Sequence, residues 1–290
     1  MEFLMRSIAV LNQKGGVGKT TTAVNLSSAL AASGWRVCLV DLDAQAHATL
    51  HLGQTPGAEG VTIYDVLLGD APFAAAVRPV ADNLWVAGSS IDLAAAEVEL
   101  AGVAGRELIL RTKMAELVSD QINAGRPKSG NQPGEFDFLL IDCPPSLGVL
   151  SLNALTAVGE VLLPLQPHFL ALHGLSKLLQ TIDVVSRQLN PRLKLAGVVL
   201  CQYELGTRLA AEVAQNVVDF LDAEREKHTP WSGARVFQSR IRRNIRLAEA
   251  PSFGQSIFQY APASHGAEDY RSLAEEFVNV GNQAHLAKSA

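Results

Sequence analysis

Apolar and polar positions follow two rhythms along the chain. Short, nearly continuous apolar runs, such as Phe138-Leu139-Leu140-Ile141, are separated by longer stretches in which apolar positions recur every three or four residues. The runs predict strands at Ser7–Asn12, Arg36–Asp41, Leu84–Ala87, Phe136–Asp142, Glu160–Leu165, Lys194–Cys201 and Arg235–Gln238. A strand covered on both faces buries every side chain and so loses the alternation of a half-exposed one. The longer stretches predict helices over Thr20–Ala32, with Gly34 as its terminating residue, and over Leu175–Leu189 and Ala210–Ala223. Strands alternating with helices predict an α/β fold, a doubly wound and mostly parallel sheet with helices on both faces. No linker divides the chain, so residues 1–290 read as a single domain. Two polar stretches rich in Gly and Pro, 124–135 and 227–233, read as loops inserted into that rhythm.

Composition narrows the function. With 48% apolar and 18% charged residues, 290 residues can bury a core without disulfides or metals. Cys38, Cys143 and Cys201 stand far apart with no Cys-x-x-Cys pair, which excludes a disulfide framework and speaks against a zinc or iron–sulfur site. Cys143 reads as a small packing residue. No apolar run reaches the roughly 18–20 residues needed to span a bilayer, and no signal-peptide pattern is present, so a cytoplasmic protein is expected. The net charge of −5 means that any nucleic-acid contact must come from a local cluster.

The richest chemistry lies in Asn12-Gln13-Lys14-Gly15-Gly16-Val17-Gly18-Lys19-Thr20-Thr21, between the first predicted strand and the first predicted helix. Glycines let backbone N–H groups turn inward around phosphate oxygens, and a helix N-terminus adds unsatisfied donors and partial positive charge. Lys19 would reach the β- and γ-phosphates of a nucleotide, Thr20 would ligate Mg²⁺, and Thr21 would add a hydroxyl near the α-phosphate. Asp41-Leu42-Asp43 closes the second strand at the end where open α/β sheets bind ligands. Asp142, after four apolar residues, would deliver a carboxylate to the magnesium shell. A further concentration, Arg235 to Arg246, holds five arginines in twelve residues. Guanidinium forks suit phosphate oxygens, whereas the single aromatic residue there, Phe237, gives no platform for base stacking.

The loop carries Gln13 where the strict phosphate-loop pattern has glycine, and a lysine at position 14. In this it resembles the deviant Walker A ATPases, the ParA/MinD group. That resemblance implies that Lys14 reaches across an ATP-dependent homodimer to the partner's phosphates, and that Lys14, Lys19 and Asp43 carry catalysis. It also implies that Gly15, Gly16, Val17, Gly18, Lys19, Thr20 and Thr21 hold ATP, with Thr20, Asp43 and Asp142 around Mg²⁺. Asp41-Leu42-Asp43-Ala44-Gln45 matches the family's D-x-D-P-Q, with Ala44 in place of proline predicting a less rigid switch loop. Asp142-Cys143-Pro144-Pro145 matches its D-x-P-P.

Arg243-Asn244-Ile245-Arg246-Leu247-Ala248-Glu249-Ala250-Pro251-Ser252 resembles the ParA/Soj chromosome-partitioning pattern, with Arg242 where that pattern has proline. The match places Asn244 at the nucleotide and Arg246 on DNA. Gly206-Thr207-Arg208-Leu209 resembles a second family segment and gives Arg208 a DNA-binding role. Ser264-His265-Gly266-Ala267-Glu268-Asp269-Tyr270 matches the family's S-x-G-A-x-x-Y. The chain end around Glu275-Glu276-Phe277-Val278-Asn279-Val280-Gly281 reads as acidic and broken by glycine, unlike the basic membrane helix of MinD, so no membrane partner is expected. Only about six residues precede the first strand, so no operator-binding domain is expected either. The resemblance implies an ATP-dependent partitioning ATPase that is nucleoid-associated, binds double-stranded DNA non-specifically, and is stimulated by a ParB-type centromere-binding protein. A positioning ATPase for another cargo and a nucleotide-gated DNA-binding regulator are the alternatives.

Overall fold

Eight strands form one sheet in the order β3-β4-β2-β5-β1-β6-β7-β8 in a computed structural model that describes residues 5–57, 60–123, 136–169 and 171–286. The strands are β1 (Arg6–Val10), β2 (Val37–Asp41), β3 (Val77–Ala81), β4 (Leu84–Ala87), β5 (Phe138–Asp142), β6 (Glu160–Leu165), β7 (Lys194–Leu200) and β8 (Arg235–Val236). Every pairing is parallel except β3 on β4. All seven strands expected from the apolar runs are present, with β4 and β6 matching end to end and β8 shortened to two residues. The eighth, β3, escapes the pattern because it is an edge strand. It alternates in burial, carries Pro79, and turns back through Asn83 at φ 57°. Proline donates no ladder hydrogen bond and is confined to such edges.

Alternate residues of the central strands feed two cores. Ile8, Val10, Leu39, Phe138 and Leu140 face one layer, while Ala9, Cys38, Val40, Leu139 and Ile141 face the other. The first layer holds the Lys19–Ala32 helix and the His265–Leu286 helix. The second holds the helices Ala171–Gln188 and Arg208–Glu224, whose apolar stripes were legible, together with Ile109–Asn123 and Val149–Ala157, whose stripes were not.

The Lys19–Ala32 helix is buried almost all round, including Thr22, Asn25, Ser27 and Ser28. These four polar residues are therefore structural. Asn25 donates to the Thr21 carbonyl at 2.8 Å and accepts the Ile257 N–H at 2.8 Å. Thr22 meets the buried Tyr270 hydroxyl at 3.2 Å, which gives the tail motif its role in holding the helix behind the phosphate loop. The helix ends as expected, with Gly34 in the left-handed region at φ 91°. At the other end of the chain the expectation of a break fails, because the final helix runs through Gly281 to Leu286. One glycine costs a long helix only about 1 kcal/mol, less than its packing supplies.

Residues 227–233 form turns between the Arg208–Glu224 helix and β8, as expected, while 124–135 lie outside the described residues. Among the described residues no helix is long and apolar enough to cross a membrane. The three cysteines are free and buried.

Candidate active site

The C-terminal ends of β1, β2 and β5 meet at the middle of the sheet. Parallel register sets Val10 beside Asp142 and Asp41 beside Asp142, so the two strand-ending carboxylates are neighbours. The phosphate loop leaves β1 here. Asn12, buried, fastens its start by donating to the Pro164 carbonyl at 2.7 Å and accepting the Lys14 N–H at 3.0 Å. Gly16 and Gly18 adopt φ of 74° and 94°, which only glycine takes without strain. Among the described residues no group accepts a hydrogen bond from the N–H of Gly15, Gly16, Val17 or Gly18. With the open first turn of the following helix, these donors make a cradle for an anion.

The two lysines sit in opposite surroundings. Lys19 is 7% exposed, and its Nζ donates to the Lys14 carbonyl at 3.1 Å. Burial lowers its pKa, opposed by the nearby charges of Asp142 and Asp43. Lys14 is exposed, its Nζ only within 3.5 Å of the Gln166 amide oxygen. Gln166 in turn accepts nothing further from the loop but donates to Gln202 at 3.1 Å, and Gln202 donates to the Gly16 carbonyl at 2.6 Å. These two glutamines steady the loop from strands β6 and β7. Their positions in the sequence carried no signal, because 150 residues or more of chain separate them from the loop they touch.

Thr20 meets one of three neighbouring carboxylates, Asp41, Asp43 and Asp142. Its hydroxyl donates to Asp142 Oδ2 at 2.7 Å. Asp142 Oδ1 is buried and has no hydrogen-bond partner among the described residues, an arrangement a divalent cation or its bound water would complete. Burial pushes the Asp142 carboxyl well up, and the adjacent Asp41 charge adds to the rise. Asp41 is fully buried and pushed up to about 6 by that burial, against hydrogen bonds from Thr49. The Thr49 N–H and hydroxyl reach it at 2.8 and 2.7 Å. Asp43, half-buried, accepts the Gln45 N–H at 3.0 Å, while its own N–H donates to Asp41 Oδ1 at 3.2 Å. Asp41 therefore fixes the Asp43 segment at both ends, and this restrains the loop that Ala44 was expected to loosen. Among the described residues no three His, Cys, Asp or Glu side chains form a metal cage. That suits magnesium, which keeps waters and shares phosphate oxygens rather than occupying an all-protein site. Burial and the Asp142 charge raise the Cys143 thiol pKa, as a packing residue requires.

The arginine segment is docked beside this site. Tyr203, one residue after Gln202, pairs with Arg242 in a parallel bridge, and Ile241 accepts the Tyr203 N–H at 2.9 Å. The arginines themselves are mostly engaged. Arg242 donates to Asp269 through its backbone N–H and guanidinium, and to Glu268 at 2.7 Å. A proline at this position would forfeit the backbone bond. Arg240 stacks on Tyr203 and donates to its hydroxyl at 2.7 Å. Arg243 pairs with Glu204 at 3.0 Å, and Arg246, 54% exposed, with Glu249 at 2.8 Å. Asn244 caps the short helix Ile245–Glu249 by accepting the Arg246 N–H at 2.8 Å. Arg208, at the exposed start of the Arg208–Glu224 helix, pairs with Glu212 at 2.8 Å.

Known proteins share this architecture. A family model described as an AAA domain matches residues 5–195. The chain is 42% identical over 276 residues to the chromosome partitioning protein ParA of Caulobacter vibrioides, covering 95% of this chain and 94% of that protein. It is 43% identical over 274 residues to the chromosome-partitioning ATPase Soj of Thermus thermophilus, covering 94% and 96%. Among solved structures, one named cobyrinic acid a,c-diamide synthase from Mycobacterium smegmatis, with bound ADP and magnesium, is 36% identical. It superposes with a TM-score of 0.73 over 94% of this chain and 93% of that one.

Proposed function

The chain belongs to the ParA/Soj family of chromosome-partitioning ATPases, and from that premise we propose that it runs an ATP-dependent cycle of DNA capture and release. ATP closes two copies into a homodimer, the dimer holds duplex DNA without regard to sequence, and a ParB-type partner speeds hydrolysis and releases it. The partition proteins match at higher identity, and over the same length, than the chain named as a diamide synthase.

The contrast between the two lysines carries this reading. Lys19, buried beneath the cradle, would neutralise phosphates in its own subunit. Lys14, exposed on the rim, is free to serve a phosphate presented from outside. The N–H groups from Gly15 to Thr21 would bind phosphate oxygens, and Asp43 would orient the attacking water. Mg²⁺ would be held by Thr20 Oγ1 with Asp142 and Asp43 on its water shell, and would neutralise charge on the β- and γ-phosphates. Asn244 would border the base, and Arg208 and Arg246 would meet DNA phosphates.

The test is Lys14→Ala. ATP binding should persist while the ATP-induced dimer is lost, read by nucleotide titration and by mass from light scattering on the same sample. A variant that still dimerises with ATP, or an unaltered chain that stays monomeric with it, would overturn the reading. Asp43→Ala should bind ATP, form the dimer and keep it, with turnover reduced about a hundredfold or more.

A further inference from the structure

The strands that finish at the phosphate loop start at a second cavity. It encloses about 540 Å³ and lies where β1, β6, β7 and β8 begin, at Arg6, Glu160, Lys194 and Arg235. The length of β7, at about 3.3 Å per residue, sets it about 20 Å from the loop end of the sheet.

Its lining is cationic in a protein of net charge −5. Arg6, Arg187, Arg192, Lys194 and Arg235 face two carboxylates, Glu160 and Asp183. Both carboxylates are engaged. Arg6 holds the two Glu160 oxygens at 3.2 and 2.9 Å, with Lys194 at 3.8 Å, and Arg187 holds Asp183 at 3.0 Å. Arg192 and Arg235 have no carboxylate partner among the described residues. Beneath the lining, the buried Nε of Arg235 and Oγ1 of Thr229 have no hydrogen-bond partner among the described residues. The Ala171–Gln188 helix ends here, and a helix C-terminus favours nearby cations, which accounts for Arg187. It does not account for Arg192, Arg235 or the two orphaned atoms, since a buried donor without a partner is rare and costly.

We infer that this cavity binds a small phosphorylated molecule. Guanidinium forks match the oxygens of a phosphate. Pro191 and Pro230 give an apolar wall for the organic part. The volume lies in the range of small-ligand sites. A duplex presents its phosphates on a convex rod, so a concave cavity favours a single phosphate ester over DNA. The site is separate from the phosphate loop and independent of the partitioning reading.

The experiment uses the full chain. ADP affinity with Mg²⁺ is measured first, so that a failure of the phosphate-loop assignment shows before the cavity is probed. With ADP saturating, inorganic phosphate and ribose 5-phosphate are titrated by calorimetry up to about 10 mM, with arginine Nε resonances followed by NMR. Saturable binding of ribose 5-phosphate, tighter than inorganic phosphate, is expected. Arg192→Gln, on the exposed rim, should weaken it severalfold, and Arg192→Gln with Arg235→Gln at least tenfold, both with unchanged ADP affinity. Absence of saturable binding, binding indifferent to Arg192→Gln, or displacement of the ester by duplex DNA would each overturn the inference. Equal affinity for the two ligands would reduce it to an inorganic phosphate site and overturn the organic occupant.

Discussion

The phosphate loop and the arginine segment both gather cations, and they treat them in opposite ways. Among the described residues Lys14 and Lys19 have no carboxylate in hydrogen-bonding contact, and the N–H groups of Gly15 to Gly18 between them are unpartnered. In the arginine segment Arg242, Arg243 and Arg246 each hold a carboxylate, and Arg240 holds a tyrosine. A run of arginines in the sequence is therefore not a measure of free positive charge. The ion pair of Arg242 is half-buried and structural, tying the segment to the tail helix. The pairs of Arg246 and Arg208 are exposed and add little to stability, so under the proposed function a DNA phosphate would displace their carboxylates at little cost.

The largest expected effect lies in the loop. Lys19→Ala should weaken nucleotide binding about a hundredfold or more, because a buried cation facing the cradle is lost while the glycine backbone remains. Undiminished affinity in a direct titration would place the phosphates elsewhere. Next is Arg242→Ala, which leaves Asp269 buried and unpaired. It should cost about 3 kcal/mol in denaturant unfolding with no specific change in the salt dependence of DNA binding. A changed salt slope with unchanged stability would move Arg242 from the scaffold to the DNA surface.

A third effect belongs to the carboxylates around Thr20. Asp41 and Asp142 hold protons more tightly in the folded chain than in the unfolded one. The folded state then binds the extra protons, so their contribution to stability is full below about pH 4 and falls as pH rises, that of Asp41 being lost through about 6. Without nucleotide and Mg²⁺, Asp142→Asn should stabilise the protein at pH 7.5 by about 1–3 kcal/mol and flatten that pH dependence, while Mg²⁺-dependent turnover collapses. A variant that loses stability at pH 7.5 would show that Asp142 serves the fold rather than the cation.

The smallest effect sharpens the comparison most. Arg246→Ala should lower the magnitude of the log–log salt slope for duplex DNA by about two in a dimer, one for each copy. Glu249→Gln, which frees Arg246, should tighten DNA binding modestly, within about 1 kcal/mol. If neither changes DNA binding while Arg246→Ala lowers ATP affinity, Arg246 belongs to the nucleotide site.

The sequence alone determined the sheet's central strands, because buried parallel strands must be continuously apolar, and it determined the phosphate loop, because the loop's geometry is set by glycines and a helix start within ten residues. The positions of Asp142, at the end of β5, and of Asp43, two residues past the end of β2, were legible for the same reason, because each is local to its strand. Only the tertiary structure decided that Asp41 and Asp142 are neighbours sharing a buried environment, since strands β2 and β5 are a hundred residues apart in the chain and their adjacency depends on strand order. Gln166 and Gln202, the Arg242–Asp269 pair and the cationic cavity under the sheet were likewise invisible in the sequence. Each joins residues from different strands or helices, and a pattern along the chain records which faces are apolar but not which polar ends will meet.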